Sequence, residues 1–140
     1  MDVSVNYLAV LVAAIASMVV GFVWYGVLFK KSWMHLMGIS QGSQKDMTLS
    51  ANQAYALQFV ASLVMAYVLS LVISWASAYQ EAGGLEVGCI TAFFIWLGFI
   101  VPTSLGIVMW EGKSWKLWFI NASHYLVGLV VMGLILAGWQ

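Results

Sequence analysis

The chain has 140 residues, 64% of them apolar or aromatic and 7% charged, with a mean hydropathy of +0.97. A soluble domain carries about a quarter charged residues, so this composition excludes a water-covered globule and a disordered chain. Five lysines against five carboxylates give no net charge, and the absence of a basic stripe excludes a nucleic-acid partner.

Four apolar stretches are each long enough to cross a bilayer, which takes roughly 20 residues of helix. They fall at about Tyr7–Phe29, Ala54–Ala78, Val87–Trp110 and Trp115–Trp139. None carries the charged face of a soluble helix or the alternation of a barrel strand. The expectation is an all-α, four-transmembrane-helix bundle forming a single domain over residues 1–140. The first basic residue is Lys30, so the opening run lacks the positive region of a cleaved signal and is expected to stay.

In the first span, Ala9, Ala13, Ser17 and Gly21 recur at i+4, the spacing of a close-packing ridge between membrane helices. Trp24 and Tyr25 close this span. Lys30 to Met37 then mixes cations with Trp33, Leu36 and Met37, predicting a short helix lying at the lipid surface and broken at Gly38. The run Ser40-Gln41-Gly42-Ser43 follows it. Ser50 and Gln53 stand at capping-box spacing before span two.

Span two carries the ladder Ala54, Gln58, Ser62, Ala66, Ser70, Ser74 and Ala78. An i+4 ladder drifts about 40° per step, so it touches different neighbours at its two ends. That predicts span two as the central helix and, with the ridge of span one, a homo-oligomer. Span three holds Gly98 and Pro102, where the missing N–H predicts a kink. The hydroxyls of Thr103 and Ser104, or a neighbouring helix, are expected to serve the freed carbonyl of Gly98.

Loop charges set the orientation. Lys30, Lys31 and Lys45 follow span one and Lys113 and Lys116 follow span three, whereas the intervening loop carries only Glu81 and Glu86. The positive-inside rule puts loops 30–52 and 111–114 in the cytoplasm and both termini outside. Tyr7, Trp75, Tyr79 and Trp139 form the expected outer aromatic belt, and Trp24, Tyr25, Tyr55, Trp110, Trp115 and Trp118 the inner one. Trp96 falls near mid-membrane, where its indole N–H needs an acceptor on a neighbouring helix. The tripeptide Lys-Ser-Trp recurs at 31–33 and 113–115, a weak sign of a duplicated hairpin.

Span four contributes His124, an ionisable group inside a span and so a functional candidate. Asn121 lies one turn nearer the cytoplasm and Gly128 one turn further out, where a partner helix can approach closely. With Gln58, Trp24 and Tyr25 they define an expected polar cluster in the cytoplasmic half. The competing reading is a hydrogen-bond network that only holds the helices in register. No span carries a carboxylate, and the single Cys89 allows no internal disulfide or cysteine-rich metal site. His35 and His124 match no zinc pattern, so no cofactor or metal and no catalytic residue is expected.

The pattern Gly21-x-x-Trp24-Tyr25-Gly26-x-x-Phe29-x-x-x-Trp33-Met34 resembles the opening of a family of small bacterial membrane proteins, domain of unknown function 1761. Glu111-Gly112-Lys113-x-Trp115, Phe119-Ile120-Asn121-x-x-x-Tyr125 and Met132-Gly133-x-Ile135-Leu136-x-x-Trp139 extend the resemblance over essentially the whole chain. It implies four helices and a bacterial source and carries no activity. The expected function is small-molecule or ion binding or transport by an oligomer in membrane lipid. The alternatives are an accessory subunit bound to another membrane protein or lipid and, third, a membrane enzyme using His124.

Overall fold

A computed structural model describes residues 3–39 and 48–139. Four helical segments within it are long and apolar enough to cross a membrane: Tyr7–Leu28, Ala51–Gln80, Leu85–Met109 and Trp115–Gly138. Lys45 and the run 40–43 lie outside the described residues.

Helix α1 (Tyr7–Val23) starts where the Asn6 side chain accepts the Ala9 N–H, and it passes into a π turn over Trp24–Leu28. The short α2 (Lys30–Met37) follows and stops at Gly38, whose φ of 70° is the left-handed cap that glycine adopts without strain. Ser50 and Gln53 form the expected capping box of α3 (Ala51–Gln80). At 30 residues, α3 is about 45 Å long, well beyond an apolar layer of about 30 Å.

The third segment is not one regular helix. It runs as α4 (Leu85–Ile95), a π turn over Trp96–Ile100, then α5 (Val101–Ser104) and α6 (Gly106–Met109). Val101 N–H reaches back five residues to the Trp96 carbonyl, and Pro102, which has no N–H to donate, follows directly on this π turn. The hydroxyls serve carbonyls other than that of Gly98: Thr103 donates to Phe99 and Ile100, and Ser104 to Val101. The final α7 (Trp115–Gly138) is capped by the Ser114 hydroxyl, which accepts the Leu117 N–H.

The central helix is α7 rather than α3. It packs on α1, α3 and α4 and buries Leu117, Ile120, Leu129, Met132 and Leu136. Small residues explain why. Gly88 and Ala92 of α4 meet Gly133 and Ala137 of α7. A Cβ added at Gly133 would lie 2.5 Å from the Gly88 carbonyl oxygen and 3.2 Å from the Ala92 Cβ, so only bare backbone permits this approach. Against α1 the register is steadily antiparallel, with Asn6 bonded to Trp139, Ser17 facing Gly128 and Gly21 facing His124.

The middle of the α3 ladder packs inside this chain: Ser62, Ala66 and Ser70 are buried, as are Ala9 and Ala13 of α1, while Gln58 and Ala78 are exposed. The two Lys-Ser-Trp tripeptides also differ in structure, since Ser32 lies within α2 while Ser114 caps α7. A different pair does correspond. The two π turns read Trp24-Tyr25-Gly26-Val27-Leu28 and Trp96-Leu97-Gly98-Phe99-Ile100.

Candidate functional site

A π turn inserts one residue into the helical ladder and re-aims the side chains around it. Both π turns direct a tryptophan at α7. Trp24 donates its indole N–H to the Ile120 carbonyl at 2.9 Å, and Trp96 donates to the Ala122 carbonyl at 2.7 Å. Between these two acceptors stands Asn121, whose Oδ1 accepts the Tyr25 hydroxyl at 2.8 Å. Trp118 extends the network by donating to the Ser104 hydroxyl at 2.9 Å. Trp24, Tyr25 and Trp118 thus turn inward instead of joining an aromatic belt, whereas Tyr55, Trp110 and Trp115 are exposed.

His124 lies one turn along α7 from this cluster. Its ring centre is 4.8 Å from that of Tyr25 and 5.1 Å from that of Tyr125. Its Nε2 faces bare backbone, since a Cβ at Gly21 would be 3.4 Å away. The Nδ1 atom is buried and has no hydrogen-bond partner among the described residues. The carbonyl one turn back, that of Ile120, takes the Trp24 indole and the Ser123 hydroxyl. Asn121 Oδ1 is taken by Tyr25.

The cluster is linked to the lysine-bearing end of the bundle. The ring of Trp33 in α2 lies tilted at 57° to that of Tyr25, with ring centres 5.3 Å apart, so the short helix packs on the tyrosine. Lys30, Lys31 and Lys116 are exposed at this same end and Lys113 is half-buried.

The structure therefore brings together Trp24, Tyr25, Asn121 and His124, with Gly128 beside Ser17 one turn beyond. Gln58 is not part of the group. It is exposed on the outward side of α3 and enters none of these hydrogen bonds. Trp96, Trp118 and Ser123 belong to the network and were absent from the expected cluster. Among the described residues no group of three His, Cys, Asp or Glu side chains could hold a metal ion.

A helical bundle with four apolar membrane-length segments and an aromatic-lined polar network fits a small protein of multi-pass membrane type. Residues 8–137 match the family described as protein of unknown function DUF1761, and the chain belongs to that family. No curated protein and no solved structure matches it.

Proposed function

We propose that the chain is a bacterial inner-membrane protein that binds a small polar molecule or ion at His124, with its lysine-bearing end in the cytoplasm and both termini outside. The observation that carries this reading is the buried Nδ1 of His124, which has no hydrogen-bond partner among the described residues. A purely structural histidine in a medium poor in water is expected to be satisfied. One that waits for a ligand is not.

Passage across the membrane would need more than this one bundle in this arrangement. Ala13, Ala66, Leu69, Leu129 and Met132 fill the layer between the two ends. Gln58 supports an assembly, because an exposed primary amide on an apolar helix gains most from a neighbouring helix carrying a polar group. A second copy of the chain, or another membrane protein, would supply it through the outward face of α3.

The test is thermal unfolding of purified protein in nanodiscs, with and without a polar lipid and metabolite extract of its own cells. A saturable rise in midpoint that is lost in His124→Leu supports binding at this site. No rise, or an equal rise in both proteins, contradicts it.

A further inference from the structure

A second polar region lies at the opposite end of the bundle, where both described termini meet. A cavity of about 450 Å³ opens there between α1, α3 and α7, lined among others by Asn6, Ala9, Ser70, Ser74, Leu136 and Trp139. This volume lies within the roughly 300–1,000 Å³ typical of small-molecule sites. The buried layer of Ala13, Ala66, Leu129 and Met132 separates it from His124.

Its walls are held in place by their own hydrogen bonds. Asn6 accepts the Ala9 N–H through Oδ1 at 3.1 Å and donates through Nδ2 to the Trp139 carbonyl at 2.8 Å, clamping the start of α1 to the end of α7. The Ser74 hydroxyl donates to the Ser70 carbonyl at 2.9 Å. Ser70 itself is only 5% exposed, yet within the described residues its hydroxyl makes no hydrogen bond while its residue lines the cavity. This hydroxyl is not sealed within the protein, so it can pair with a molecule held in the cavity.

None of the described residues that line it is charged, and a bare ion would lose hydration without a counter-charge. The apolar side, with Ala9, Leu136 and the Trp139 ring, accepts hydrocarbon. We propose that this cavity binds a small uncharged molecule bearing hydroxyl groups, whether a free polyol or the glyceryl head of a neutral lipid.

Saturation-transfer NMR on the chain in lipid nanodiscs tests this with two probes, glycerol and 1-monooctanoylglycerol. Ser70→Leu, which fills the cavity, should abolish a saturable signal seen in the wild type. Ser70→Ala, which deletes only the hydroxyl, should weaken apparent affinity about fivefold, the equivalent of one hydrogen bond. A signal from glycerol assigns a free polyol, and one from monooctanoylglycerol alone assigns a lipid head. Absence of a saturable signal for both probes overturns the proposal, as does a signal of equal strength in Ser70→Leu.

Discussion

The imidazole of His124 rests on the bare backbone of Gly21, with Nε2 only 3.4 Å from where a Cβ at position 21 would stand. One methyl group fits this space at ordinary contact distance, but a branched side chain does not. Gly21→Ala should therefore fold with stability within about 1 kcal/mol of wild type, since alanine recovers helix propensity that glycine lacks. Gly21→Ile should push the ring away from Tyr25. Histidine ring chemical shifts, sensitive to the tyrosine 4.8 Å away, report the displacement. An unmoved His124 signal in Gly21→Ile would show that the contact does not position the ring.

The α4–α7 crossing should be far less forgiving. Gly88→Ala and Gly133→Ala each drive a methyl group into the facing backbone. Each should cost at least about 1–3 kcal/mol, the range for forced overpacking. Gly98→Ala, with open space around it, should stay within about 0.5 kcal/mol. Denaturant titration in mixed micelles followed by tryptophan emission separates the two classes, and equal costs at Gly88 and Gly98 would refute the close approach.

The two indole bonds to α7 should be similar in strength. Trp24→Phe and Trp96→Phe each remove one donor while Ile120 and Ala122 sit in a continuous helix, so each should cost about 1 kcal/mol. Tyr25→Phe instead leaves Asn121 Oδ1 without its donor. Its cost should reach about 1–3 kcal/mol. The same titration checks the order, and a Tyr25→Phe protein as stable as wild type would remove the hydroxyl from the network.

Orientation is testable by labelling. A cysteine at Gly83, in the connection between α3 and α4, should react in intact cells with a membrane-impermeant maleimide in a Cys89→Ser background. A cysteine at Ser114 should react only after permeabilisation. The reverse pattern would invert the proposed topology.

Much of this architecture is legible along the chain because membrane helices declare themselves by length and apolarity. The caps at Ser50 and Gly38 are equally local signals, and both stand where their residues indicate. The choice of central helix is a different matter. The i+4 ladder of α3 is longer than any in α7, yet a ladder shows only that close approach is possible. What decides is the matched pair Gly88-x-x-x-Ala92 and Gly133-x-x-x-Ala137, a signal visible only when two spans are read against each other.

The site divides in the same way. Asn121 and His124 announce themselves as polar groups in an apolar span. Trp24 and Tyr25 read as belt residues or cluster members alike, and a π turn aims them inward. Gln58 misleads because the ladder drifts around α3, and its buried members are Ser62, Ala66 and Ser70. Its position in the ladder suggests an inward face, but its neighbours Tyr55, Leu57 and Val60 are exposed as well.

The most direct test of a ligand site at His124 is histidine-selective ¹⁵N NMR on protein carried from its own membrane into native nanodiscs without detergent. The same sample is then recorded after exhaustive detergent exchange into synthetic lipid. The account predicts a hydrogen-bonded Nδ1 in the native sample that becomes unbonded on exchange and recovers when the cell's polar extract is returned. An identical Nδ1 resonance in all three states would contradict it, leaving the histidine a packing residue of the α1–α7 seam.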